Sequence, residues 1–348
     1  MRGCALFAVL LGCSTPAAKI TWHEFEGAPA QVASLAFDSE GNPVVFGHGF
    51  ASNTAYVQHI SGGSWVQTDV IPGTMPAYGA LARQPGGPMF ALVNQALYRL
   101  DDEIAFQWTA VPMPAPPTPY VGVVGVFTID TGGTFYWSDG GGLYHWSVGE
   151  SAWTLFPGTN QTSELKVVIG KDGTIYGTTI ASGILAISTA GMQVVLDCNQ
   201  PEYLNCQASI GGFDGLGLND AGDLYFRMCP QNYQTRQQFR IRAGSSTVET
   251  LASLPAARGG SAYTGCGASQ TMPDGTQFLE RMLVGDTIID SADFFRLDGA
   301  GWDSIGQLGR PSAGPYTSDG MRTLFRDDHT VFAFGDGAEN SGLWEGDF

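Results

Sequence analysis

The side chains with the most chemistry to offer are concentrated in the second half of the chain. Ten of the thirteen arginines lie between Arg227 and Arg326. A guanidinium presents a planar fork that grips a carboxylate or sulfate with two hydrogen bonds. Arg227 and Arg281 stand out because the spacing puts them at matching ends of two neighbouring strands. Tyr203 and Tyr263 fall in the same region, and Tyr78, Tyr120 and Tyr316 occupy comparable connecting segments. Tyrosine rings of this kind stack on sugars or hold a peptide. Cys198, Cys206, Cys229 and Cys266 lie among them. Such a set is suited to holding an anionic, sugar or peptide ligand.

Bond-breaking chemistry is less well served. His23, His48, His59, His145 and His329 are scattered, and none stands in a motif with a nucleophile. The chain contains no GxSxG, HExxH, Walker loop or dinucleotide fingerprint. Dispersed carboxylates, tyrosines and histidines brought together by a fold could still serve a polysaccharide lyase or hydrolase. Asp336, Glu339 and Asn340 offer oxygen ligands that calcium could use, but their spacing fits no defined calcium loop. No CxxC pair or Cys/His cluster has zinc spacing. The expectation is no metal and no cofactor, with calcium the one alternative the residues offer.

Composition narrows the partners. The 348 residues carry a net charge of −17, from 33 acids against 16 bases. Lys19, Lys166 and Lys171 are the whole lysine complement. A chain this acidic is repelled by nucleic acid and by anionic membrane surfaces. With 43% hydrophobic residues it can nonetheless bury a large core.

The first residues read as an address. Met1 and Arg2 precede an apolar run over 4–12, then Cys13, Ser14 and Thr15. This is the pattern of a secretory signal, too short to span a bilayer as a mature helix. Leu10-Leu11-Gly12-Cys13 resembles the lipobox of bacterial lipoproteins. That resemblance implies cleavage before Cys13 and a lipid on its sulfur; the alternative is ordinary cleavage near Ala17 and Ala18. The expected division is a signal over 1–12, a short tether over 13–19 and one domain over 20–348. Membrane contact is then through the anchor alone. In an exported protein the four remaining cysteines read as two disulfides, with three possible connectivities. Cys198–Cys206 with Cys229–Cys266 is the preferred one.

The elements that must position these residues are repeats. A turn followed by an apolar strand recurs seven times, with Gly41, Gly87, Gly133, Gly173, Gly222, Gly275 and His329 at equivalent places. Successive anchors are 40–54 residues apart. The turns supply aspartates and the positive-φ glycine that a hairpin needs. Two further strands follow in most units, the last often opening with tryptophan, as at Trp65, Trp108, Trp153 and Trp302. The seventh unit stops short of that strand, yet Trp22 stands ahead of the first unit in the same pattern. This circular permutation predicts an all-β, seven-bladed propeller of four-stranded blades, with an N-terminal strand closing the last blade.

Units such as 127–146, where Asp130-Thr131-Gly132-Gly133 leads into Phe135-Tyr136-Trp137, resemble two-component-regulator and NHL-type propeller repeats. That resemblance implies a binding role, as in periplasmic sensor modules. In a propeller the inter-blade linkers share one face with the loops between second and third strands, and the long connections and all four cysteines map there. The expectation is therefore an exported, lipid-anchored, monomeric propeller that binds a cell-envelope glycan or protein without catalysis. Tyr203, Tyr263, Arg227 and Arg281 are its candidate ligand residues. A polysaccharide-active enzyme and a structural envelope scaffold are the alternatives.

Overall fold

Short apolar segments punctuated by Asp-Gly turns have the period of strands, and the computed structural model of the protein is built from them. It describes residues 20–28, 31–48, 55–61, 63–68, 79–93, 95–115, 126–138, 142–161, 165–179, 183–197, 213–228, 237–253, 266–284, 289–298, 301–309, 322–327, 329–337 and 340–348.

The chain begins with β1 (Thr21–Glu24). Blade one follows as β2 (Gln31–Phe37), β3 (Pro43–His48), β4 (Ala55–Ser61) and β5 (Ser64–Gln67). Blade two is β6 (Gly79–Arg83), β7 (Met89–Val93), β8 (Ala96–Asp102) and β9 (Gln107–Val111). Blade three is β10 (Val126–Ile129), β11 (Thr134–Ser138), β12 (Leu143–Ser147) and β13 (Thr154–Leu155). Blade four is β14 (Lys166–Ile169), β15 (Ile175–Thr179), β16 (Gly183–Ser188) and β17 (Gly191–Leu196). Blade five is β18 (Phe213–Leu218), β19 (Leu224–Met228), β20 (Gln237–Ile241) and β21 (Val248–Thr250). Blade six is β22 (Cys266–Thr271), β23 (Gln277–Val284), β24 (Ile289–Asp298) and β25 (Gly301–Gly309). The last blade takes β26 (Arg322–Phe325), β27 (Thr330–Gly337) and β28 (Asn340–Asp347) from the C-terminal part, and its fourth strand is β1. Seven four-stranded antiparallel sheets thus form a seven-bladed β-propeller, as the repeat pattern predicts.

Burial follows from the stacking of sheet against sheet. The second strand of a blade is packed between neighbouring blades, so in blades one to three it carries a continuous apolar run: Val44 to Phe46, Met89 to Val93 and Phe135 to Trp137. Every residue of β7 is buried, and Val44, Val45 and Phe46 of β3 are completely so. The outer-strand tryptophans link blades. Trp153 donates from Nε1 to the Pro114 carbonyl at 3.3 Å, and Trp302 to the Ala252 carbonyl at 2.7 Å. At the closure, Thr21 to Glu24 pair with Asp347 to Trp344. A Cβ on Gly346 would stand 2.5 Å from Ile20 Cγ2 and 3.1 Å from the Trp22 ring. Only glycine lets β1 lie that close.

The turns between first and second strands all fall on one face, where they form a belt. Their first residues cap the turns: Asp38, Asp130 and Asn219 each accept from a backbone N–H four residues on. Their second residues reach the next blade. Ser39 N–H donates to Glu103 at 2.8 Å, Thr131 N–H to the Lys171 carbonyl at 2.8 Å, and Asp220 N–H to the Pro273 carbonyl at 2.8 Å. Lys171 Nζ lies 2.7 Å from an Asp220 oxygen. Gln270 exchanges two 2.7 Å hydrogen bonds with the backbone of Phe325. This belt ties neighbouring blades together on that face.

Candidate functional site

The candidate site is assembled where blades five and six meet. The inner strands β18 and β22 pack against each other there. Each carries a bulge in its pairing with the second strand, between Asp214 and Gly217 in blade five and between Cys266 and Ser269 in blade six. A bulge bends a strand and re-aims its side chains, and bulges recur beside functional sites. Their position is shared: both lie on the linker side of the inner strand.

Glycine makes the close approach feasible. Gly215 has φ +61°, and a Cβ there would collide with the Ser269 hydroxyl and stand 3.2 Å from Arg227 Nε. A Cβ on Gly217 would collide with Thr271. Against this smooth strip lie polar side chains sealed from water: Arg227 at 2% exposure, Gln238 at 3% and Gln277 at 2%. Gln277 Oε1 accepts from Thr271 Oγ1 at 2.9 Å and from Gln238 Nε2 at 3.5 Å, while its Nε2 donates to the Gly275 carbonyl at 3.1 Å. Leu279, Phe295, Leu297 and Trp302 form an apolar cluster within blade six, with Leu251 and Ala252 of blade five packed against it. Buried polar groups in a low-dielectric setting are costly unless hydrogen-bonded, and the three bonds of Gln277 hold that side chain in one arrangement.

Arg227 sits in β19, paired across the strands with Asp214 and Gln238. Its charge is held inside the ring, not offered to solvent. Arg281 lies in β23, paired with Cys266 and Asp293. The two are not at matching positions. Leu224 pairs with Leu218 just as Gln277 pairs with Thr271, so Arg227 corresponds to Glu280 and Arg281 to Met228. The one-residue offset arises because the hairpin glycines Gly222 and Gly275, not the arginines, set the repeat. Cys266 opens β22. Tyr203, Tyr263, Cys198, Cys206, Cys229 and Cys13 lie outside the described residues, as does Glu339.

Sequence reasoning missed Gly215, Gly217, Ser269, Gln238 and Gln277. A signal was present in two glycines alternating within an apolar strand at 213–218, which marks a bulge or close backbone approach. Among the described residues no group of three or more His, Cys, Asp or Glu is placed to hold a metal ion, and no helix is long and apolar enough to cross a membrane.

No family model matches the chain, and no curated protein matches it. Solved structures do. An oligogalacturonate lyase in complex with manganese is similar with a TM-score of 0.63 at 11% identity, over 96% of this chain and 97% of that one. The virginiamycin B lyase of Staphylococcus aureus gives 0.59 at 12% identity, over 95% and 99%. The extracellular domain assigned to the hybrid two-component system BT4673 of B. thetaiotaomicron gives 0.58 at 10% identity, over 95% of this chain but 43% of that one. At such identities the likeness is one of fold. The same ring serves both lyases and an extracellular domain of a signalling protein.

Proposed function

We propose that the protein is an exported, lipid-anchored propeller that binds a cell-envelope glycan or polypeptide on the linker face of blades five and six, without catalysing a reaction. The observation that carries this reading is the seam itself. Paired bulges, two glycines and a buried arginine-glutamine set fix the ends of strands from which residues 198–212, 229–236 and 254–265 depart. A rigid floor of this kind lowers the ordering cost of binding by the segments it carries. Tyr203, Tyr263 and Arg281 would then meet the ligand, with Arg227 positioning the floor beneath them. Two disulfides among Cys198, Cys206, Cys229 and Cys266 would restrain the same segments. Anchoring would be through Cys13, and no cofactor is needed.

The second reading is a polysaccharide lyase, favoured by two neighbours of the same fold that are lyases. Glycan-array and pull-down binding by the soluble form beginning at Ser14 separates the readings. Saturable binding that falls at least tenfold in a Tyr203→Ala, Tyr263→Ala, Arg281→Ala variant of unchanged melting temperature is the expected result. Unchanged affinity in that variant overturns the site. Accumulation of unsaturated sugar product establishes the lyase. Retention of one envelope protein with no glycan, insensitive to these substitutions, supports a scaffold. Release of the protein from membranes by Cys13→Ser tests the anchor.

A further inference from the structure

A cavity of about 530 Å³ opens between blades six and seven on the turn face, away from the seam of blades five and six. Its floor is apolar, with Phe278 fully buried and Met272 and Leu297 beside it. Arg296 of β24 projects into its lining. Among the described residues the Arg296 guanidinium has no hydrogen-bond or ion-pair partner, and its Nε is shut off from solvent. Asp303, directly across the strand pair, does not engage it. Several other arginines have carboxylate partners: Arg83 has Glu103, Arg99 has Asp101, and Arg240 and Arg242 share Glu249. Arg326, which also lines the cavity, is held by Asp327 and Glu345. Arg296 therefore lacks an anion, in a cavity large enough to admit one.

The remaining polar lining defines the rest of the ligand. Asp274 accepts from the Thr276 N–H and hydroxyl, one to each oxygen. Asp327 likewise accepts from His329 N–H and Arg326 Nε. An ionised carboxylate oxygen takes about two hydrogen bonds, so each aspartate retains room for a hydroxyl donor. We propose that this cavity binds a hydroxylated carboxylic acid of mono- or disaccharide size, a hexuronate in class. Its carboxylate would make a two-pronged pairing with Arg296, its hydroxyls would meet Asp274 and Asp327, and its carbon face would lie on Met272.

D-glucuronate is the probe, with D-glucose as the uncharged control. Methionine-methyl ¹³C labelling reports the site, with Met272 assigned from Met272→Leu. A saturable shift of the Met272 methyl with glucuronate is expected, with glucose binding at least tenfold more weakly. Arg296→Gln should weaken glucuronate about tenfold or more at unchanged melting temperature. Should that variant fail to fold, Arg296→Lys is the readout: it keeps the charge without the fork and should lose affinity severalfold. No methyl shift, equal binding of glucose, or unchanged affinity in whichever Arg296 variant folds overturns the proposal.

Discussion

The hydroxyl of Tyr136 donates a 2.9 Å hydrogen bond to Oδ2 of Asp130 six residues earlier, and the turn of the next blade closes over both. A Cβ on Gly173 would lie 3.0 Å from that hydroxyl and 3.1 Å from that carboxylate. Blade five repeats the device: Gly275 stands over the Tyr225 hydroxyl and Asn219. The aromatic six residues beyond the start of a turn thus keys one blade to its neighbour.

Tyr136→Phe should cost about 1–2 kcal/mol, since Asp130 keeps its bond from Thr134 N–H but loses a buried donor. Burial, reinforced by Asp130, raises the Tyr136 pKa above its ordinary value. The unfolded chain therefore loses this proton first, at about pH 10, and stability falls as pH rises beyond it. Urea unfolding at neutral pH and above pH 10 checks both, and Tyr136→Phe should show a shallower alkaline decline.

Gly173→Ala and Gly244→Ala separate backbone strain from crowding. Both glycines have positive φ, +82° and +72°, but a Cβ on Gly244 meets nothing within 4 Å. Gly244→Ala should cost about 1 kcal/mol from backbone conformation. Gly173→Ala should cost about 1–3 kcal/mol more, because it pushes against Tyr136 and Asp130. Equal losses in denaturant midpoints would refute the keyed-turn arrangement.

His59 gives an acid limb. It is 4% exposed, and its ring stacks on Phe106 with centroids 3.7 Å apart and planes at 7°. Burial lowers its pKa below the ordinary value, with Asp38 partly opposing. The unfolded chain then takes up the proton first as pH drops below about 6.5, so stability contributed by neutral His59 is present above that pH and declines below it. His59→Phe keeps the stack and should flatten melting temperature between pH 7 and 5.

Inter-blade ties on the turn face differ in worth. Lys171 and Asp220 are about half exposed, so Lys171→Ala should change stability by less than about 1 kcal/mol and be insensitive to added salt thereafter. Gln270→Ala removes both bonds to the Phe325 backbone and should cost about 1–3 kcal/mol. Thermal melts of the two variants at low and high salt rank them.

The architecture was legible because its determinants are local. Each Asp-Gly turn and the apolar run after it specify one hairpin, and the displaced strand at Trp22 announces the closure. The seam was less so. Burial of Arg227 depends on how blade six packs, which no residue near 227 reports. Aligning Arg227 with Arg281 overlooked that hairpin glycines set the register, and bulges alter pairing without altering composition. Gly215 and Gly217 carried the available clue.

Closure by β1 also sets a timetable. Thr21 pairs with Asp347, residues separated by nearly the whole sequence. Loop-closure entropy grows slowly with length, so the finished ring bears little thermodynamic penalty, but contacts this distant form slowly. Blades one to six consist of consecutive strands and can form in the order in which they emerge, as N-terminal segments generally do. Blade seven cannot be completed until residues 340–347 have appeared and found residues 21–24. During that interval β28 carries an unpaired edge open to another chain. The propeller is therefore most exposed to misassembly not while its strands are being made but in the pause before its first strand meets its last.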